Sequence, residues 1–97
     1  MKQHALIAGV GMTPFGRHLD RTLSSLAHQA IREALDDAGI PIGRIQAVWA
    51  GNAGAGIVTG QALIAGQVAL RGMGLGGVPV VNVENACATA STAFQQA

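Results

Sequence analysis

The one cysteine of the chain, Cys87, is the side chain best suited to covalent chemistry, because a thiolate is a strong nucleophile. It follows the mostly apolar run Val78–Val83 and precedes small residues, which predicts a junction between a strand and a helix. At a helix N-terminus, free backbone N–H groups favour a thiolate and can stabilise an oxyanion. Position alone leaves two interpretations open: a nucleophile that acts on a substrate, or a buried structural cysteine.

Other residues that could carry chemistry do not form the pattern of a known site. Gly9-Val10-Gly11 follows a predicted strand, but Pro14 occupies the third glycine position of a dinucleotide-binding fingerprint. The glycine-rich loop 51–56 has no Lys-Ser/Thr pair for a phosphate. We therefore predict turns at these glycines, no bound cofactor and no metal site. Three histidines lack ligand spacing and are interpreted as solvated or hydrogen-bonded: His4, His18 and His28.

The composition argues against several classes of function. Charged residues make up 11% of the 97 positions, well below the usual share of about a quarter, so we expect much of the surface to be covered. A net charge of +1 without a basic cluster offers no footprint for nucleic acid. No apolar run reaches the ~18 residues of a membrane span. A single cysteine and the lack of a signal-peptide pattern predict a reducing, cytoplasmic location.

The elements that must position Cys87 are predicted from hydrophobic periodicity. The segment Thr22–Ala38 carries one apolar stripe at helical spacing, with Asp20 or Thr22 as the cap and Gly39 as the stop. The other predicted elements are the strands His4–Val10, Ile45–Ala50 and Val78–Val83, a helix Gly60–Leu70 capped by Thr59, and a helix that begins around Cys87.

This β-α-β-α-β-α order predicts an α/β fold, with a mostly parallel sheet covered by helices on both faces. The helix Gly60–Leu70 is apolar on most sides, so we expect both of its faces to be covered. Because the last helix is cut off at Ala97, we expect residues 1–97 to be an incomplete domain.

Three stretches resemble the thiolase superfamily, in the right order and across the whole chain. The segment Asn82–Ala93 resembles the nucleophile segment, and is closest to the sterol-carrier-protein type with its Cys-Ala-Thr-Gly-Ser-Thr-Ala. The opening Gly9–Phe15 resembles that group's Gly-x-Gly-Met-Thr-x-Phe, and Gly60–Leu75 resembles the helix before the third strand. The resemblance implies the N-terminal portion of the first domain of a duplicated, five-layer α/β fold.

Two residues depart from the pattern of this superfamily. Ala90 stands where a glycine usually follows Cys-Ala-Thr, and Glu84 replaces a residue that is commonly an amide. We expect the added methyl group of Ala90 to narrow the acyl pocket or to change which acyl groups fit. Asn85 and Ala90 are the candidate substrate contacts.

The resemblance implies a Claisen-type acyltransferase that acts on coenzyme A thioesters, with Cys87 as the catalytic nucleophile. Cys87 would attack the 3-keto group of a 3-oxoacyl-CoA, release acetyl-CoA or propionyl-CoA, and carry the acyl group until a second CoA removes it. The reverse reaction is a condensation. The Cys87 N–H would contribute to an oxyanion hole. The family's second cysteine, its histidine and its Asn-bearing loop lie beyond position 97, so we expect residues 1–97 alone to be inactive.

The resemblance also implies a homodimer or tetramer, with the strand Val78–Val83 at or near the interface, and it allows a zinc-ribbon/OB-fold companion subunit. Two alternatives stay open. The first is a ketoacyl-synthase-like condensing enzyme, because Asn85-Ala86-Cys87 followed by small residues fits it almost as well. The second is a non-catalytic, thiolase-like subunit of a heteromeric acyl-CoA complex, in which Cys87 is inert.

Overall fold

In the computed structural model, which describes residues 4–97, helix α1 (Leu23–Ala38) begins and ends at the predicted signals. The Thr22 hydroxyl accepts a hydrogen bond from the Ser25 N–H at 3.0 Å, so Thr22 rather than Asp20 is the cap. Gly39 adopts the left-handed conformation with φ 70° and closes the last turn. The predicted helix is confirmed. It could be predicted from the sequence because the residues that start and end it lie next to it.

Two parallel strands form the sheet of residues 4–97, β1 (Val48–Gly51) and β2 (Val80–Val83). Val48 lies opposite Val80 and Gly51 opposite Val83, so both strands end at the same edge. The strand predicted at Ile45–Ala50 begins only at Val48, the first residue that pairs with β2, and runs to Gly51. The third predicted strand is confirmed with a shorter span.

Three further helices are α2 (Ala55–Thr59), α3 (Ala65–Leu70) and α4 (Thr89–Gln96). A Cβ on Gly66 of α3 would lie 2.6 Å from the Cβ of Ala50, whereas a Cβ on Gly51 would lie 2.9 Å from Thr89 Cγ2 of α4. Since neighbouring residues of a strand face opposite sides, α3 and α4 pack against opposite faces of the two strands. Coverage of a larger sheet stays a prediction.

The single helix predicted at Gly60–Leu70, with Thr59 as its cap, is wrong. Gly60 adopts φ 79° and ends α2, and Thr59 lies inside α2, where its hydroxyl donates to Ala55 O at 2.7 Å. Helix α3 starts only at Ala65, where the Gly66 N–H donates to Asn82 Oδ1 of β2 at 2.7 Å. A side chain 16 residues away therefore decides this helix start.

The predicted loop 51–56 is also more ordered than its glycines indicate. Gly51 belongs to β1, and the side chain of Asn52 accepts hydrogen bonds from the N–H groups of Gly54 and Ala55 at 3.2 and 2.9 Å. These two bonds start α2 directly after the strand.

The buried strand predicted at His4–Val10 is wrong, because this segment lies along α1 rather than in the sheet. The Val10 N–H donates to Asp37 Oδ2 at 2.9 Å and the Met12 N–H donates to Glu33 Oε2 at 3.3 Å. The two donors are two residues apart in an extended chain, a span of roughly 6.8 Å. The two acceptors are four residues apart in a helix, a span of roughly 6 Å, so donors and acceptors have nearly the same spacing. Leu6, in the middle of the predicted strand, is 95% exposed.

The buried core of residues 4–97 is small and lies between the strands, α3 and α4. Its apolar members are Ala69, Leu70, Leu75, Val83 and Ala93. Among the helices of this described range, none combines the length and apolar character that crossing a bilayer requires.

Candidate active site

Cys87 lies in the middle of a 3₁₀ turn, Ala86–Ala88, that joins the end of β2 to α4. Its thiol is exposed, and the turn lies at the edge where both strands end. The predicted junction of strand and helix is confirmed, whereas the choice between a nucleophile and a structural cysteine stays a prediction. Regular α-helix begins two residues after Cys87, at Thr89.

Thr89 holds the turn together through its side chain. Its hydroxyl accepts from the Asn85 N–H at 2.8 Å and donates to Ala86 O at 2.7 Å. The residue is only 6% exposed and packs against Gly51 of β1. Sequence reasoning assigned Thr89 no role, although a hydroxyl residue at the start of a helix commonly bonds nearby backbone groups.

Glu84 holds the same turn from the strand side. Its carboxylate accepts a hydrogen bond from the Ala86 N–H at 2.6 Å. Ala86 has φ 46°, a left-handed conformation that costs a non-glycine residue on the order of 1–3 kcal/mol. The surrounding bonds must offset this cost, and Glu84 supplies one of them.

The side chain of Asn85 is tied to α4. Its Nδ2 donates to Thr92 Oγ1 at 3.0 Å, and the Thr92 hydroxyl in turn donates to Ala88 O at 2.8 Å. The predicted substrate contact of Asn85 stays a prediction, and the structure shows that this side chain also braces the turn.

Ala90 is the second residue of α4, which directly follows the turn. It lines a groove of about 780 Å³ together with Ala93 and Phe94, between α4, β1 and α1. A separate cavity of about 360 Å³ lies beyond the ends of the strands, and Glu84 and Asn82 line it. Cys87 lines neither, so the acyl-pocket role predicted for Ala90 stays a prediction.

The histidines lie far from Cys87 in the sequence, at positions 4, 18 and 28. His18 Nε2 donates to Pro14 O at 2.7 Å, but the buried Nε2 of His28 has no hydrogen-bond partner within residues 4–97. The described residues therefore do not meet the expectation that His28 is solvated or hydrogen-bonded. Residues 4–97 contain no group of three or more side chains able to hold a metal.

Comparison with known proteins gives relatives across nearly the whole chain. Sterol carrier protein 2 of Gallus gallus is 37% identical over 96 residues, which are 97% of this chain and 17% of the relative. An acetyl-CoA acetyltransferase of Methanocaldococcus jannaschii is 40% identical over 91 residues, 94% of this chain and 23% of the relative. Benzoylsuccinyl-CoA thiolase subunit BbsB of Thauera aromatica is 35% identical over 99 residues, 100% of this chain and 24% of the relative.

The chain thus spans between 17% and 24% of the length of these three relatives. The family model of the thiolase N-terminal domain matches residues 5–97, a range that includes β1, β2 and the turn around Cys87. The resemblance predicted from three short motifs is confirmed by a match along the chain. By this match the chain belongs to the thiolase family, within its N-terminal domain.

Proposed function

We propose that Cys87 is the nucleophile of a thiolase-type acyltransferase that acts on coenzyme A thioesters. The observation that carries the proposal is the exposed thiol of Cys87, in a turn held by side chains at the edge where both strands end. In open α/β sheets, substrates bind at this edge. The relatives named as an acetyl-CoA acetyltransferase and a benzoylsuccinyl-CoA thiolase support the substrate class.

The reaction proceeds in two transfers. The Cys87 thiolate attacks the 3-keto carbon of a 3-oxoacyl-CoA, and the bond between carbons 2 and 3 breaks with its electron pair on carbon 2. That carbon takes up a proton and leaves as acetyl-CoA or propionyl-CoA, while the acyl group stays on the sulfur as a thioester. The thiol of a second CoA then attacks this thioester, loses its proton and restores Cys87. The same steps in reverse form a carbon–carbon bond.

The backbone of the turn supports this chemistry through one N–H group. Within the turn, the hydrogen bonds of the described chain use the N–H groups of Asn85, Ala86, Ala88 and Thr89. The Cys87 N–H is not among these donors, so it is free to bind the oxygen that becomes negative during acyl transfer.

The rest of the proposal follows the family. The protein works as a cytoplasmic homodimer or tetramer, with acyl-CoA and CoA as its small-molecule partners, and a zinc-ribbon/OB-fold subunit is a fitting companion.

Acylation of the full-length protein tests the proposal. Incubation with acetyl-CoA, followed by peptide mass spectrometry, is expected to show an acetyl group on Cys87 that a second CoA removes. Cys87→Ala is the control and should take up no label at this peptide. An intact protein without acetylation at Cys87, or with a stable adduct elsewhere, would sink the proposal. Decarboxylation of a malonyl thioester would instead favour a ketoacyl-synthase-like enzyme.

A second candidate function is a thiolase-like subunit without catalysis of its own. One observation favours it: a relative is named as a subunit. In this case Cys87 is inert. Failure of iodoacetamide to label Cys87 selectively at pH 7, together with co-purification of a second chain, would support this candidate over the first.

A further inference from the structure

Both peptide groups that flank the Cα of Ala86 are held by side chains. On its amino side, the Ala86 N–H donates to Glu84 Oε2 at 2.6 Å. On its carboxyl side, Ala86 O accepts from the hydroxyl of Thr89 at 2.7 Å. With both peptide planes fixed, the two dihedral angles of Ala86 are fixed as well, and its φ is 46°.

Because the peptide bond is planar, the fixed angles of Ala86 also restrict the N–H group of Cys87. The carbonyl of Ala86 and the N–H of Cys87 belong to the same planar, trans peptide group. Holding that carbonyl therefore fixes the direction of the Cys87 N–H. Without the hydrogen bond that Glu84 accepts, the left-handed conformation of Ala86 is less stable. The φ of Ala86 can then change to the negative values that non-glycine residues prefer.

Glu84 holds the Ala86 N–H with a charged carboxylate. It is the only charged residue of the sequence between Arg71 and Ala97. A carboxylate accepts a shorter and stronger hydrogen bond from a backbone N–H than a neutral acceptor does. Glu84 is exposed while Thr89 is buried, so a change at Glu84 disturbs the turn with little effect on the core.

We propose that Glu84 is a positioning residue of the acyl-transfer site: its bond to Ala86 holds the turn so that the Cys87 N–H points at the developing oxyanion. This inference rests on the function proposed above for Cys87. It concerns the direction of the N–H and not the exposure of the sulfur.

Three variants of the full-length protein test this role. Glu84→Ala removes the acceptor, Glu84→Gln keeps an acceptor oxygen without the charge, and Gln95→Ala changes an exposed residue of α4 away from the turn. Each variant is measured twice: for the rate at which acetyl-CoA acylates Cys87, and for the rate at which iodoacetamide alkylates it. Alkylation needs the sulfur but no oxyanion hole, so it separates the two effects.

We expect Glu84→Ala to slow acylation about tenfold or more, since small misplacements at a reacting centre cost up to about a hundredfold. Its alkylation should be as fast as in the wild type or faster. Gln95→Ala should acylate close to the wild-type rate. Glu84→Gln should acylate at a rate between those of the wild type and Glu84→Ala, because its neutral oxygen accepts a weaker hydrogen bond.

Four outcomes overturn the inference. The first is that Glu84→Ala acylates as fast as an active wild type, and the second is that Glu84→Gln is as slow as Glu84→Ala. The third is that alkylation of Glu84→Ala slows in parallel with its acylation. The fourth is that the wild type is not acylated at all. Only the last also overturns the proposed function. Circular dichroism checks the fold. If the Ala variant does not fold, the Gln variant tests the inference, which then requires slower acylation than in the wild type with unchanged alkylation.

Discussion

At the scale of single residues, the turn around Cys87 depends on one hydroxyl group. Thr89 Oγ1 accepts one hydrogen bond and donates another, and its residue is almost completely buried. When a buried group of this kind is removed, its former partners lose their bonds and cannot turn to water without rearrangement. The Thr89 methyl group has a separate role, because it contacts Gly51 of β1.

Thr89→Val keeps the shape of the side chain and removes the hydroxyl. We expect it to lower the free energy of unfolding of the full-length protein by about 1–3 kcal/mol, measured by urea unfolding, because two backbone groups lose their partner. Hydrogen exchange should also quicken at the Asn85 N–H. Thr89→Ser is the matched control, since it keeps both bonds and loses only a methyl group. If Val and wild type unfold at the same urea concentration, the hydroxyl has no such role.

At the scale of elements, the close approach of α3 to the sheet depends on a residue without a side chain. A Cβ on Gly66 would lie 2.6 Å from Ala50 Cβ and 2.8 Å from Asn82 Oδ1, both in the face that α3 covers. This close packing allows the side-chain amide of Asn82 to form two hydrogen bonds with α3. It accepts one from the Gly66 N–H and donates one to Gln67 Oε1, each at 2.7 Å. Helix α3 is thus attached to β2 by its first turn.

Gly66→Ala should separate α3 from the strands. We expect a loss of about 1–3 kcal/mol in stability, as in other overpacked cores, visible as a lower melting temperature of the full-length protein. Gly77→Ala is the control, because a Cβ there meets nothing within 4 Å and the backbone is not left-handed. Equal melting temperatures for the two variants would contradict the close packing described for α3.

At the scale of the whole molecule, the 97-residue chain buries little of its apolar surface. Its accessible area is 7380 Å², whereas a folded monomer of 9.8 kDa has roughly 5200 Å² by the usual scaling of surface with mass. Large apolar side chains are exposed along the chain, among them Leu6, Phe15, Ile57, Leu63 and Phe94. This surface agrees with the low charge content of the sequence, because neither is typical of a surface that faces only water.

We therefore expect the 97-residue chain on its own to have low stability. Fluorescence of Trp49, the one tryptophan, should report unfolding at a low urea concentration, and the dye ANS should bind the chain before urea is added. A chain extended to the length of the relatives should bind far less dye per molecule. A sharp, cooperative transition at high urea, with no dye binding, would contradict the exposed surface of the structure.

The sequence by itself determined the features whose signals lie within a few residues of one another. Thr22 and Gly39 set the ends of α1, because a cap bonds to groups three or four positions away. An apolar run followed by small residues determined that Cys87 lies between a strand and a helix. The motif around Cys87 also carried the resemblance to thiolases, which the match along residues 5–97 confirms.

Tertiary structure alone decided the features that depend on contacts between distant residues. The N-terminal segment reads as a buried strand, but carboxylates of α1 bind its backbone, 21 and 27 positions away. Helix α3 begins where Asn82 accepts its N–H, and Gly51 admits Thr89 against β1. Hydrophobic periodicity predicts which side chains are buried, but it does not predict which residues they pack against. The hold of Glu84 on Ala86 became visible only once backbone angles and hydrogen bonds were known.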